Sequence, residues 1–149
     1  TVDFAIKSGG VVKVFFEKDK KIYFQTTKNQ TAQIISEGTI IKIDENFIYT
    51  KNNNSISIYT VQNDLVKTIS LPFNEVGSID NFSINGEHYT VIMDYLQNKI
   101  NLYDQNNEIM PGFPKEGRER AVSYLNEEQK LLSIYTVISK SIVCYKIEL

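Results

Sequence analysis

Apolar and polar residues alternate with a period of two along most of this 149-residue chain. No stripe of apolar residues at the helical spacing i, i+3, i+4, i+7 lasts for three turns, so the pattern predicts strands rather than helices. Short polar breaks separate the strands, as at Asn52–Asn54 and Gln105–Asn107. Asparagine tolerates the left-handed backbone of tight turns, so these breaks predict hairpin loops. The pattern as a whole predicts an all-β chain.

One hairpin recurs four times in the sequence. In every copy, an apolar residue on the first strand is followed eight positions later by an isoleucine on the second strand. The copies are 34, 44 and 42 residues apart. Because the offset is constant, the hairpins are interpreted as four copies of one structural unit. The paired positions are Val14 and Ile22, Ile48 and Ile56, Ile92 and Ile100, and Ile134 and Ile142.

Weaker strand patterns flank each hairpin, and in the third copy the strand that follows is predicted at 108–113. Four antiparallel strands in a repeat of about 40 residues are typical of a β-propeller blade. A β-sandwich also has regularly spaced short strands, but it does not require the same hairpin four times. The repeat therefore favours four propeller-type blades in a single domain, with approximate bounds 1–38, 39–77, 78–119 and 120–149.

The fourth blade is expected to lack its outer strand, because the sequence ends at Leu149. Four blades, of which one is incomplete, do not readily form a closed propeller ring, so we expect this chain to be part of a larger propeller. The free edge of the last strand, Ser141–Ile147, also invites pairing with another strand. A homo-oligomer formed through that edge is the alternative expectation.

Composition and charge narrow the range of functions. The chain has 20 Ile and only three Ala, which favours strands because β-branched side chains suit a pleated sheet. The formal net charge of −2 argues against a strongly basic nucleic-acid interface. No apolar run approaches the roughly 18 residues of a membrane span, so no membrane insertion is expected. One cysteine and one histidine exclude a disulfide framework and any mechanism that needs two imidazoles.

Few single residues suggest chemistry. We expect His88, at the start of a strand, to be a surface hydrogen-bonding residue. Asp94 and Asp104 lie on neighbouring strands, and a pair of carboxylates that approach each other can serve acid–base catalysis. Asp at the end of a strand is more often a turn former, however. Cys144 aligns with Phe24, Ile58 and Leu102 in the repeat, which predicts a buried and inert thiol.

The third copy contains the segment Ile100–Asp104 followed by Gly112–Pro114. It resembles a degenerate repeat of the FG-GAP/VCBS and PQQ-like propeller group, found in secreted and surface proteins of bacteria. That resemblance implies an extracytoplasmic location. Calcium-binding members carry an Asp-rich loop, but the equivalent stretch Asn81–Gly86 offers no carboxylate, so neither metal nor cofactor is expected. The matching residues are Ile100, Leu102, Tyr103, Asp104, Gly112, Phe113 and Pro114.

Two functions remain open at this point. The first is a non-catalytic binding or scaffold module for protein partners, because the sequence shows no catalytic constellation and propellers present loops on one face. The second is the C-terminal part of a carbohydrate-active or dehydrogenase-like enzyme, for which the available acids are Asp80, Asp94 and Asp104. The candidate binding residues, all on loops of the predicted face, are Asn52, Asn53, Asn54, Tyr95, Arg118 and Arg120.

Overall fold

A computed structural model describes residues 4–149 apart from residue 9. Residues 1–3 and 9 of the predicted first blade therefore lie outside the described part. The described residues form fifteen strands in four antiparallel sheets, and no helix occurs among them. The predicted all-β class and the division into four blades are confirmed.

The chain divides into two compact units, Thr1–Pro72 and Phe73–Leu149. The first unit contains two four-stranded sheets, and in both the strands lie side by side in chain order. Sheet 1 consists of β1 (Phe4–Ser8), β2 (Val11–Lys18), β3 (Lys21–Thr26) and β4 (Gln33–Glu37). Sheet 2 consists of β5 (Thr39–Ile43), β6 (Phe47–Asn52), β7 (Ser55–Thr60) and β8 (Leu65–Ser70).

The second unit contains a four-stranded and a three-stranded sheet. Sheet 3 consists of β9 (Val76–Ile84), β10 (Glu87–Asp94), β11 (Lys99–Tyr103) and the short β12 (Lys115–Glu116). Sheet 4 consists of β13 (Arg118–Asn126), β14 (Leu131–Ile138) and β15 (Ser141–Glu148). The fourth sheet thus lacks an outer strand, as the repeat predicted.

Two-residue turns close three of the four repeated hairpins. Asp19 and Lys20 both have positive φ between β2 and β3, and Ser139 and Lys140 both have positive φ between β14 and β15. Turns of this type match the right-handed twist of the flanking strands, so they fix the register of the pair. As a result, Ile134 lies opposite Tyr145 in the fourth hairpin.

The third hairpin departs from the common register. Four residues, 95–98, connect β10 to β11 instead of two, so Ile92 lies opposite Asn101 rather than Tyr103. The shift is an even number of residues, and each side chain therefore keeps its predicted face of the sheet.

The strand predicted at 108–113 is also displaced. Only Ile109 bridges to β11, through Tyr103, and the paired strand β12 lies further along the chain. Pro111 and Pro114 have no backbone N–H to donate to a neighbouring strand, which disfavours continuous pairing across this segment.

Each unit has an apolar core between its two sheets. In the first unit the core contains Phe15, Ile22, Ile40 and Ile48. In the second unit sheets 3 and 4 pack face to face, with Tyr145 and Ile147 against the buried residues. The buried residues of that second core are Val91, Met93, Ile100, Leu102, Ala121, Leu132 and Ile134.

The prediction that Cys144 is buried is wrong, because its side chain is exposed. Neighbouring residues on a strand point to opposite faces, so Tyr145 facing the core directs Cys144 to the other side of sheet 4. The repeat identified the correct face of the sheet, but nothing among the described residues covers that face.

Candidate functional site

The turn between β10 and β11 is an ordered loop that exposes apolar side chains. Asp94 is buried, and its Oδ1 accepts hydrogen bonds of 3.1 Å from the backbone N–H groups of Leu96 and Gln97. The N–H of Tyr95 donates to the carbonyl oxygen of Glu75 at 3.1 Å. These bonds fix the backbone, while the side chains of Tyr95 and Leu96 are 53% and 65% exposed. Exposed apolar side chains on a fixed loop are suited to contact another molecule.

A bulge at the start of β13 holds the two arginines of the chain. The register between β13 and β14 shifts here, and Glu119 has a positive φ of 63°. The hydroxyl of Thr136 lies within donating distance of the carbonyl oxygens of Arg118 and Arg120, at 3.3 and 3.2 Å. These contacts from β14 fix the backbone of the bulge. The side chains of Arg118 and Arg120 both lie at the surface.

The bulge and the turn lie beside each other. The N–H of Gly117 donates to the carbonyl oxygen of Asn98 at 3.0 Å, and Lys99 pairs with Glu116. The exposed side chains on these two adjacent segments, Tyr95, Leu96, Arg118 and Arg120, are together called the loop patch. Three of these residues were candidates from the sequence. Leu96 was missed, because a leucine in an alternating pattern gives no sign that it is exposed.

The other candidates, Asn52, Asn53 and Asn54, lie in the first unit. Asn52 and Asn53 line an open cleft of about 570 Å³. The carbonyl oxygen of Asn54 instead accepts a hydrogen bond of 2.7 Å from the N–H of Leu71. This cleft, called the unit-1 cleft, is lined by Asp19, Lys20, Lys21, Glu37, Gly38, Thr39, Lys51, Asn52 and Asn53.

Three loops meet at the unit-1 cleft, and Gly38 joins two of them. Its N–H donates to the carbonyl oxygen of Lys20 at 2.8 Å. Its φ is +114°, and a Cβ at this position would lie 2.3 Å from the carbonyl oxygen of Lys51. Only glycine fits this close approach. The lysines of the cleft were missed from the sequence, because charged turn residues are common and only the fold brings these three together.

His88 belongs to a hydrogen-bond chain within sheet 3. The side-chain amide of Asn81 lies 3.1 Å from Nδ1 of His88, and the hydroxyl of Thr90 donates to Oδ1 of Asn81 at 2.9 Å. Thr90 and Asn81 are buried, and His88 lies at the half-buried end of the chain. This arrangement organises the sheet and offers no nucleophile for the imidazole to activate.

Asp94 and Asp104 do not form a carboxylate pair. Asp94 precedes the turn at one end of β11, and Asp104 follows Tyr103 at the other end. Oδ1 of Asp104 accepts from the N–H groups of Asn106 and Glu108, at 2.8 and 2.9 Å. Both acids therefore cap loops, as Asp at a strand end commonly does.

Two tyrosines in sheet 3 have raised pKa values. The hydrogen bond from the Tyr89 hydroxyl to Oε2 of Glu87, 2.9 Å long, raises the pKa of Tyr89 together with partial burial. Burial raises the pKa of Tyr103, and the negative charge of Asp94 raises it further. The Tyr103 hydroxyl has no hydrogen-bond partner among the described residues. In both cases the environment favours the neutral phenol.

Lys13 on β2 connects sheet 1 to the loop between β7 and β8. Its Nζ donates to the carbonyl oxygen of Val61 at 2.6 Å and lies 4.8 Å from the ring centre of Phe24. Burial lowers the pKa of Lys13, and the nearby charge of Asp64 partly offsets that effect. The ammonium is held by structural contacts beside a small pocket of about 190 Å³ that Val11 and Val61 also line.

A metal site and a membrane-spanning helix each have requirements that can be checked in the described part of the chain. No group of three or more His, Cys, Asp and Glu side chains that could hold a metal ion occurs there. The same residues contain no helix with the length and apolar character needed to cross a bilayer. Two loop surfaces are therefore the candidate sites. The loop patch combines apolar side chains with two arginines, and the unit-1 cleft is polar.

Four antiparallel sheets with this hairpin repeat define a propeller-type fold, and solved structures agree. The chain is similar to BBS1N, a β-propeller, in the mercury-soaked crystal structure of BBS1N in complex with ARL6DN. The TM-score is 0.59 at 10% sequence identity, over 95% of this chain and 48% of that chain. This chain therefore spans about half the length of that neighbour.

A second similar structure is Hsv2 from Kluyvelomyces marxianus, also a propeller, with a TM-score of 0.48 and 10% identity. That similarity covers 97% of this chain and 60% of the other. No protein-family model matches the chain, and neither does any curated protein. At such low identity, the likeness to solved structures shows the fold alone.

Proposed function

We propose that this chain is a non-catalytic binding module that holds a protein partner. The observation that carries the proposal is the loop patch, where Tyr95 and Leu96 are exposed on a backbone fixed by Asp94. Arg118 and Arg120 flank them on the neighbouring bulge. The buried centres of protein interfaces are enriched in aromatic residues and arginine, which the loop patch combines.

The rigidity of the loop patch supports the same function. Ordering a mobile loop on binding costs free energy, and a loop that is already ordered avoids that cost. The turn is held by backbone hydrogen bonds to Asp94 and Glu75, and the bulge is held by Thr136. Tyr95 is therefore presented in one backbone conformation before any partner arrives.

The alternative, part of a carbohydrate-active or dehydrogenase-like enzyme, needs carboxylates that are free to act on a substrate. Asp94 and Asp104 both cap loops from opposite ends of one strand, which favours the binding module. The neighbour BBS1N, a propeller in complex with ARL6DN, is a precedent for this fold in a protein complex. We also propose that the chain is not an enzyme.

Two further proposals rest on the resemblance of the third copy to bacterial propeller repeats. The segments Ile100–Asp104 and Gly112–Pro114 suggest a degenerate member of the FG-GAP/VCBS and PQQ-like group. From that group we also propose an extracytoplasmic location. Addition of a strand at the free edge of β15 remains a proposal for self-association.

Site-specific photo-crosslinking tests the binding function. A photoreactive phenylalanine analogue at position 96 is compared with the same analogue at position 65, because Leu65 is similarly exposed but lies in the first unit. We expect one defined protein adduct from position 96 in the source cells, identified by mass spectrometry. Identical adducts from both positions, or none from position 96, would contradict the proposal.

The identified partner then allows binding to be measured. Tyr95→Ala and Arg118→Ala are each expected to weaken binding about tenfold or more, because truncation of an aromatic or arginine anchor commonly costs this much. Leu65→Ala, with an exposed leucine outside the loop patch, is expected to leave the affinity unchanged. Equal losses in all three variants would indicate a general effect on folding instead.

A further inference from the structure

The outer face of sheet 4 is apolar and exposed. Its side chains point away from the core, because their neighbours Leu132, Ile134 and Tyr145 pack against sheet 3. Val122 lies opposite Tyr135, which lies opposite Cys144, so the three form one row across the sheet. The four large apolar residues are 42–79% exposed. The apolar and thiol side chains of the outer face of sheet 4 are Val122, Tyr124, Tyr135, Ile142 and Cys144, and the same face carries Lys146 and Glu148 toward the end of β15.

The sequence repeat relates the outer face of sheet 4 to a buried face of sheet 3. Ile142 and Cys144 occupy the repeat positions of Ile100 and Leu102 in sheet 3. Ile100 and Leu102 are fully buried in the contact between sheet 3 and sheet 4. The outer face of sheet 4 is therefore the same type of surface that sheet 3 uses to pack against its neighbour.

The complementary type of surface lies on sheet 1. Sheet 3 packs against Leu132 and Ile134 of sheet 4, and the repeat positions of these two residues in sheet 1 are Val12 and Val14. Phe15 follows Val14 on β2 and points into the core of the first unit. Because side chains alternate along a strand, Val12 and Val14 point away from that core.

Aromatic residues complete this surface. Phe16 lies opposite Tyr23, and their rings stack with centres 5.5 Å apart and planes 9° from parallel. Tyr23 in turn lies opposite Ile34, which is more than half exposed. The apolar side chains of the outer face of sheet 1 are Val12, Val14, Phe16, Tyr23 and Ile34, and the same face carries Lys7, Lys18, Lys21 and Gln25.

We propose that the outer face of sheet 4 in one copy of this chain packs on the outer face of sheet 1 in a second copy. The contact repeats between copies the packing that sheets 3 and 4 show within one copy. Each surface is the type that its counterpart accepts, which makes the contact head-to-tail rather than sheet 4 on sheet 4.

The expected area supports the use of both faces. Three strands of about eight residues cover roughly 400 Å² of sheet, so one contact buries about 800 Å² in total. Stable protein interfaces bury about 1,200–2,000 Å². A single contact falls short of this range, but each copy carries both faces and can form the contact twice, which buries about 1,600 Å² per copy. The proposed contact uses the flat of the sheets and is distinct from strand addition at the edge of β15.

Charge insertion on each face tests the proposal by sedimentation velocity over a range of concentrations. Wild-type chain is expected to associate reversibly. Ile142→Glu and Ile34→Glu are each expected to raise the dissociation constant at least tenfold, because each buries a charge in the contact. Leu65→Glu, at an exposed leucine on neither face, is the matched control and is expected to associate like wild type. Circular dichroism verifies that all three variants are folded.

Crosslinking identifies the faces in contact. Gln25→Cys adds a thiol on the outer face of sheet 1, opposite Val14, and a short bismaleimide is expected to join it to Cys144 of another copy. Gln105→Cys, on an exposed loop, is the control and is expected to give no such product.

Three outcomes would overturn the proposal. The first is a monomer at every concentration, which leaves the faces to some other occupant. The second is association that Ile142→Glu disrupts and Ile34→Glu does not, which indicates sheet 4 on sheet 4. The third is association that neither substitution disrupts, which indicates strand pairing at the edge of β15.

Discussion

The hydroxyl groups of Tyr103 and Tyr145 in the second unit differ in their hydrogen bonding. The Tyr103 hydroxyl is buried without a hydrogen-bond partner among the described residues. The Tyr145 hydroxyl donates to the carbonyl oxygen of Glu116 at 2.8 Å. A buried donor without a partner costs about 1–3 kcal/mol, whereas a satisfied hydrogen bond contributes about 1 kcal/mol. The same chemical change at the two positions should therefore have opposite effects on stability.

Tyr103→Phe is expected to raise the free energy of unfolding by about 1 kcal/mol, because it removes the unpaired hydroxyl and keeps the ring. Tyr145→Phe is expected to lower it by about 1 kcal/mol. Urea denaturation followed by circular dichroism measures both values. A loss of stability in Tyr103→Phe equal to that in Tyr145→Phe would show that the hydroxyl of Tyr103 is satisfied in solution.

Tyr103 also affects stability at alkaline pH. Burial and the Asp94 charge raise its pKa above the ordinary value of 10.0, so above that pH the unfolded chain releases a proton that the folded chain retains. The stability associated with the neutral phenol is present below pH 10 and is lost as the pH rises toward the folded pKa. Tyr103→Phe is expected to flatten this decline. Urea midpoints from about pH 8 to about pH 11 would test it, and parallel curves for the two proteins would contradict it.

At the scale of elements, the links between strands carry specific backbone demands. Gly38 joins β4 to β5, and a Cβ there would meet the carbonyl oxygen of Lys51. Gly86, in the turn between β9 and β10, also has a positive φ, but its Cβ would meet open space. The two glycines share an unusual conformation and differ in the space around them.

Gly38→Ala is expected to lower the free energy of unfolding by roughly 3–4 kcal/mol, since it adds a steric clash to an unfavourable φ. Gly86→Ala is the matched control, with an expected loss of about 1–2 kcal/mol from φ alone. Thermal and urea unfolding of both variants measures the difference. Equal losses would mean that the loops at the unit-1 cleft are free to move apart.

The sequence predicted the hairpin strands better than the contacts that loops and linking segments make in the fold. Alternation and a constant offset of eight identified the hairpins, because side-chain periodicity follows directly from strand geometry. The strand predicted at 108–113 was wrong, because backbone pairing there depends on prolines that alternation ignores. The unit-1 cleft could not be predicted, since Lys20 and Lys51 come together only after three loops have folded.

At the scale of the whole molecule, the position of Cys144 links the repeat to assembly. The repeat predicted burial because the equivalent Leu102 is fully buried against a neighbouring sheet. Cys144 is exposed because sheet 4 has no neighbour on its outer face among the described residues. Cys144 therefore lies at a repeat position that is buried where sheet 3 packs against sheet 4, but that is uncovered on the outer face of sheet 4. Its exposure is therefore expected to depend on whether copies associate.

Thiol labelling of Cys144 tests that dependence. At low concentration the native protein is expected to react with a maleimide at the rate of an exposed thiol, and at high concentration several-fold more slowly, because a second copy covers the row of Val122, Tyr135 and Cys144. Ile34→Glu lies on sheet 1 and is expected to restore fast labelling at every concentration, since it disrupts the surface that covers the thiol. Leu65→Glu is expected to label like wild type. A labelling rate that is independent of concentration would contradict self-association through this face, whereas protection that persists in Ile34→Glu would place a different surface over Cys144.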